Sequence, residues 1–343
     1  MRRLLPLACV LALSAARCGG GTPTLSVFIW TEYVPPEVYA KFEAETGARV
    51  VEANFASNEE LRAKLQAGAA GYDVVCPTDY TVRELVRDGL LADLDHALLP
   101  NLGNLAPRFA DPPYDAGLRH SVPFSWGVTG IAYDPAVVDP APTSWRDLLD
   151  PEHAAPYAGR ISMLNDVREL VSAALLAEGR DPNSQAPGEL DAAAQLLTRQ
   201  KALVAKYDSD TPGASLVSGE VVLAQAWSGT IAGAQAERSD LRFLVPPEGA
   251  LVYVDNWAIP KSAPHRELAH RFIDFCLRPD IAAEIAEATL YASCNDAAKE
   301  RLDPAVLQGT SYADGGGAQL SFLADAGAAA PRFGAIWKAL KGE

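Results

Sequence analysis

Acidic and aromatic residues recur side by side in this chain. Trp30–Thr31–Glu32–Tyr33 places two rings and a carboxylate within four residues, at the end of an apolar, β-branched run. Tyr253–Val254–Asp255–Asn256–Trp257 alternates so that Tyr253, Asp255 and Trp257 share one strand face, and an unpaired Asp on a buried face is costly. Trp227 closes another apolar run, while Tyr80 and Tyr291 are single rings at element ends. Asp166–Val167–Arg168–Glu169 opens a helical pattern with carboxylates three apart. Carboxylates accept hydrogen bonds from ammonium-like donors, and ring faces attract cations by roughly 0.5–2 kcal/mol each. The composition therefore suits a pocket for something cationic. Each piece also has a local explanation: a strand-end Trp packs in a core, and Asp at N-cap with Glu at N3 forms a capping box without any ligand.

Other chemistries lack their residues. The sequence has no HExxH, CxxC, GxSxG or GxxxxGK[ST] pattern, and His96, His120, His153, His265 and His270 form no metal-ligand spacing. No metal or cofactor is expected, and an enzyme would have to work with carboxylates alone. The formal charge is −15. This argues against nucleic acid, whose binding needs Lys and Arg to neutralise phosphates, and favours capture of cations.

Arg2 and Arg3 precede an apolar run over residues 4–16 that is short for a bilayer span, so residues 1–17 read as an export signal. Cys18 followed by Gly19, Gly20 and Gly21 reads as a lipid anchor on a flexible tether, 18–24. Cys76, Cys276 and Cys294 are then left, and three cysteines imply no disulfide framework. Roughly 320 mature residues exceed the size at which one core stops growing, so two domains are expected.

The elements that must position these groups alternate. Strands are expected over 25–30, 48–55 and 72–76, with helices over 36–46 and 57–68 between them, the second capped near Ser57 or Asn58. Such an order implies a parallel sheet with right-handed crossovers, whose ligands bind beyond the carboxyl ends of the strands. Residues 30–33 and 77–80 form two of those ends. Two further extended segments are expected at 122–124 and 127–133. Beyond them helical runs over 167–178 and 189–201 alternate with apolar strands over 221–227 and 241–245.

Taken in order, WTEYVPP at 30–36, YDVV at 72–75, PFSWG at 123–127, DVRE at 166–169, DNWAIP at 255–260 and LRPD at 277–280 resemble the spermidine/putrescine-binding proteins of polyamine ABC transporters. The resemblance covers essentially the whole mature chain. It implies the type II periplasmic binding protein fold, with two α/β lobes joined by two hinge crossings. Residues 25–130 with a return segment 256–299 would form the first lobe, and 131–255 with 300–343 the second. It also implies a non-catalytic monomer that delivers a polyamine to a membrane permease. By position, Trp30, Tyr33, Tyr80, Trp227, Tyr253 and Tyr291 would flank the methylenes. Glu32, Asp166, Glu169 and Asp255 would take the ammonium groups, and Thr31 and Thr78 would add hydroxyls. Tyr253 stands where the family has a second Trp, and Phe322–Leu323 replaces a Gln, which leaves the choice of amine open. The rival expectations are a binder of a sugar, an amino acid or ferric ion, and a glycosidase using Asp166 or Glu169 with Asp255.

Overall fold

The computed structural model describes residues 22–55, 57–68 and 70–342. The expected signal and Cys18 lie outside the described residues. The β-branched run after Pro23 forms β1 (Thr24–Ile29), which pairs in parallel with β2 (Arg49–Asn54) on one side and β3 (Val74–Val75) on the other. Between β1 and β2 the helix Pro36–Thr46 starts on a proline and stops at Gly47, whose φ of 70° a side chain would disfavour. It buries Val38 and Phe42, and Phe42 meets Phe272 and Phe275 edge-on at 5.2 and 5.4 Å. Those two rings belong to the helix Arg266–Cys276, so late chain folds back onto the first sheet.

β4 (Ser121–Tyr133) is one strand where two segments are expected. Pro123 cannot donate to a ladder, and a register shift between Pro123 and Ser125 absorbs it without ending the strand. β4 serves two sheets. Its residues Ser121–Val128 pair with β9 (Ala250–Ala258), whereas Thr129–Tyr133 pair with β7 (Leu223–Trp227) and the last three also with β8 (Arg242–Leu244). The second sheet continues from β7 through β5 (Ile161–Met163) to β6 (Val204–Tyr207), both contacts parallel. β10 (Ala292–Ser293) and β11 (Leu320–Phe322) join the first sheet on β4 and β9.

Two main cores follow from this layout. One surrounds β1, β3 and the first part of β4 with Phe28, Phe42, Trp257 and Phe272, and the other packs Trp145, Leu170, Leu197 and Phe333 between helices of the second half. The return to the first sheet comes before Ala250, not at 255, because β9 pairs with β4 through Asp255. The C-terminal stretch also divides. Ala298 and Leu302 pack on the helix Pro279–Thr289 of the first half, whereas the helix Ala330–Lys341 packs into the second core. No helix among the described residues is long and apolar enough to cross a membrane.

The second crossing, residues 245–249, is held by the start of the helix Trp145–Leu149. There Ser144 donates to Glu248, and the buried Trp145 indole N–H donates to the Gly249 carbonyl at 2.8 Å. Trp145→Phe keeps most of the ring volume but strands that carbonyl, so it is expected to lower unfolding stability by roughly 1–3 kcal/mol. A urea midpoint shift corresponding to less than about 0.5 kcal/mol, within the range of an ordinary surface substitution, would show that the crossing does not depend on this bond.

Candidate functional site

Asp255 sits in β9 opposite Thr78, with which it forms an isolated bridge beside the end of β3. Its side chain is buried, 3 % exposed, and both oxygens are engaged: Thr78 Oγ1 donates to Oδ1 at 2.6 Å and Tyr33 Oη to Oδ2 at 2.7 Å. Burial pushes its pKa up to about 6. The bonds from Thr78 and Tyr33 offset this in part, as does the Trp30 indole, which lies near without forming a well-aligned bond.

Thr78 is itself held in place by Asn58. The Asn58 amide donates to Thr78 Oγ1 at 3.0 Å and to Tyr80 Oη at 2.9 Å, and its oxygen accepts the Thr78 backbone N–H at 3.2 Å. Ser57 takes the N-cap role of the helix Asn58–Gln66, which frees Asn58 to turn inward. Sequence reasoning left the cap open between these two residues and missed the inward role.

Asp166 and Glu169 come from the other half, at the start of the helix Val167–Ala177. Asp166 caps that helix, accepting the backbone N–H groups of Arg168 at 2.7 Å and Glu169 at 3.3 Å. The reciprocal half of a capping box is not made. Glu169 instead accepts the Trp227 indole N–H at 3.3 Å, and its second oxygen is buried without a hydrogen-bond partner. Glu169 is 4 % exposed. Burial, and then the neighbouring Asp166 charge, push its carboxyl up to about 8. Asp166 is half-buried and raised by burial and by Glu59.

The rings stand around these acids. Trp30, Tyr33, Tyr80, Trp227, Tyr253 and Tyr291 are all half-buried, as expected of rings that keep one face toward a cleft. Tyr33 and Tyr291 lie 5.0 Å apart between centroids, and Trp227 and Tyr253 5.9 Å apart. Two glycines allow this closeness. A Cβ at Gly127 would fall 2.2 Å from Tyr253 Oη, and one at Gly229 would fall 2.4 Å from Tyr291 Cδ1. Trp257, on the same strand face as Asp255 by alternation, lies wholly in the first core against Phe124 and Phe272.

Thr31 and Glu32 are placed differently. Both are exposed in the turn after β1, Glu32 with a φ of 58°, and no hydrogen bond among the described residues joins either to the rest of the site. Asp79, which sequence reasoning did not single out, lies between Thr78 and Tyr80 and is 1 % exposed. Its helix-start position has a local explanation that masks it in the sequence.

Among the described residues, Asp79, Asp166, Glu169 and Asp255 have no ion-pair partner. The nearby Arg168 points away, donating to the Ala324 carbonyl at 2.7 Å and lying over the Phe333 ring. No group of three His, Cys, Asp or Glu residues among those described is arranged to hold a metal ion. The arrangement brings buried carboxylates without ion-pair partners together with half-buried rings, which suits a cationic ligand with apolar stretches.

Residues 37–311 match the family model described as bacterial extracellular solute-binding protein. The spermidine/putrescine-binding periplasmic protein 1 of Haemophilus influenzae is 36 % identical over 302 residues, covering 85 % of this chain and 83 % of that one. The putrescine/cadaverine-binding protein of Pseudomonas aeruginosa is 31 % identical, over 89 % of this chain and 88 % of that one. The crystal structure of the TpPotD lipoprotein of Treponema pallidum superposes with a TM-score of 0.82 at 32 % identity, covering 93 % of this chain and all of that one. With its two cores and the strand they share, the chain belongs to the bacterial extracellular solute-binding protein family.

Proposed function

We propose that this protein captures a polyamine outside the cytoplasm and presents it to the permease of an ABC importer, without chemical turnover. One observation carries the reading: buried carboxylates without a cationic partner stand among half-buried aromatic rings, at the junction of the two halves. An unpaired buried charge is costly, and a ligand with ammonium groups and methylenes supplies the missing positive charge and the apolar surface together. The relatives whose names specify spermidine, putrescine or cadaverine support the class of ligand.

Asp255 offers one ammonium seat, with Tyr33 and Tyr291 beside it. Asp166 and Glu169 offer another from the opposite half, with Trp227 and Tyr253 between. A ligand touching both halves favours the closed arrangement by its differential affinity, and the crossings at β4 and at 245–249 are where the chain would bend. The exported form begins after residue 17, is lipid-anchored through Cys18 and acts as a monomer. The basic–apolar start of the chain and the treponemal lipoprotein support this part of the reading.

Titration calorimetry with putrescine, cadaverine, spermidine and spermine tests the proposal, with a sugar and an amino acid as controls. Saturable one-to-one binding of polyamines alone is expected; heat with the sugar and none with any polyamine would refute it. Losing a charge-assisted seat, Asp255→Asn should weaken binding roughly 10- to 100-fold. Losing one ring face, Trp227→Ala should weaken it roughly 3- to 30-fold. Both variants should keep their far-ultraviolet spectrum and a cooperative melt. Unchanged affinity in both would remove these residues from the site.

Binding should also move protons. Glu169, pushed up to about 8, and Asp255, pushed up to about 6, hold protons in the free protein that an ammonium group displaces. Affinity should therefore fall as pH drops through about 8 and again through about 6. At pH 7 binding should release about one proton, mostly from Glu169. Calorimetry in buffers of different ionisation enthalpy counts it. A heat independent of buffer at pH 7 in the wild type, or a proton count unaltered by Glu169→Gln, would show that Glu169 does not ionise against the ligand.

A further inference from the structure

Asp79 is the first residue of the helix Asp79–Arg87, and its Oδ1 accepts the backbone N–H of Tyr80 at 2.5 Å. A carboxylate there is favoured by the helix dipole, which would explain the residue type if it stood at the surface. It does not. Asp79 is 1 % exposed, and its Oδ2 is buried without a hydrogen-bond partner. Arg83, one turn along the same helix, donates to the Pro113 carbonyl at 3.1 Å and forms no ion pair with it. A helix start needs one carboxylate oxygen at most, so the second, dry oxygen is an unmet demand for a donor.

Its surroundings belong to the cleft. Thr78, the residue before it, bonds to Asp255, and Tyr80, the residue after it, bonds to Asn58. Tyr114, whose hydroxyl donates to Asn256 at 2.9 Å beside Asp255, feels the Asp79 charge, while Asp79 itself is raised by burial and by the charges of Asp255 and Glu169, with Arg83 offsetting part of this from one turn away. Asp79 thus stands within electrostatic reach of one carboxylate in each of the two seats described above, Asp255 and Glu169. Two seats match the two charges of a diamine; a further dry carboxylate has no role with such a ligand and matches a third charge.

We infer that Asp79 is an additional ammonium-binding carboxylate, and that it selects amines with three or more nitrogens over diamines. The inference rests on the polyamine reading but concerns which polyamine is preferred. It is tested by titrating wild type and Asp79→Asn with putrescine and with spermidine, each variant checked by thermal melting. The expected result is a fall in spermidine affinity of tenfold or more with less than a threefold change for putrescine, so that the spermidine-to-putrescine preference collapses. Equal losses for both amines would mark Asp79 as a structural carboxylate and overturn the inference, as would no loss for either. Asp79→Ser, which keeps an acceptor oxygen at the helix start without the charge, is read in the same way should Asp79→Asn not fold. Failure of both variants to fold would also assign a structural role. Absence of polyamine binding in the wild type would instead sink the functional reading, and this inference with it, so the two failures are told apart by the control titration.

Discussion

Carboxylates brought together out of water repel one another and lose their hydration, and this protein does so on both sides of one cleft. The polypeptide offsets part of the cost with neutral donors: hydroxyls of Thr78 and Tyr33 for Asp255, backbone N–H groups for Asp166, and the Trp227 indole for Glu169. Neutral donors cannot supply a counter-charge. The remaining demand appears as carboxyls held partly protonated and as dry, unpartnered oxygens on Asp79 and Glu169. A cation that enters satisfies all of these at once, whereas a sugar brings no charge and a zwitterionic amino acid brings its own carboxylate into a field of the same sign. On the proposed reading, selectivity for polycations is thus a property of what the cleft lacks.

The backbone makes such a cleft possible by running strands through both halves. β4 pairs with β9 along one stretch and with β7 along the next, so the edges carrying Asp255 and Trp227 are held to a common strand. Neither half needs to bury its acids against itself. The second half presents Asp166 and Glu169 at a helix start, where backbone donors are unpaired and available, and the first presents Asp255 from within β9 beside the end of β3. Acids from both halves stand together where the halves meet, so a cation bound there compensates acids of both halves at once.

Much of this was legible in the sequence where the signal is local. The strand–helix–strand order near the start follows from β-branched runs, Pro36 and Gly47. The alternation of Tyr253, Asp255 and Trp257 puts all three on one strand face, yet packing draws Trp257 wholly into the first core. What escaped depends on tertiary context. Two neighbouring cap formers, Ser57 and Asn58, are locally interchangeable, and only packing against Thr78 and Tyr80 shows which one turns inward. Asp79 looks like a helix-start acid until its burial is known. Residues 125 and 126 read as a gap between two segments, whereas a register shift between Pro123 and Ser125 keeps β4 continuous. Glu169 reads as the reciprocal partner of a capping box, and burial beside Trp227 draws it elsewhere.

On the proposed reading, size and charge are discriminated by different parts of this cleft. The spacing of the rings is steric: Tyr253 approaches over Gly127 and Tyr291 over Gly229, closer than any side chain at those positions would allow. Gly229 lies in the helix Ser228–Glu237 of the second half, whereas Tyr291 precedes β10 of the first, so this contact joins the two halves. Rings seated this close to the backbone line a narrow cleft, which suits a thin, flexible methylene chain better than a bulky ring or branched side chain. The number of charges is read separately, by where the carboxylates stand along that chain. Two ligands of equal thickness can therefore differ in affinity through their nitrogens alone, and changing an acid alters which amine is preferred without altering what shape is admitted.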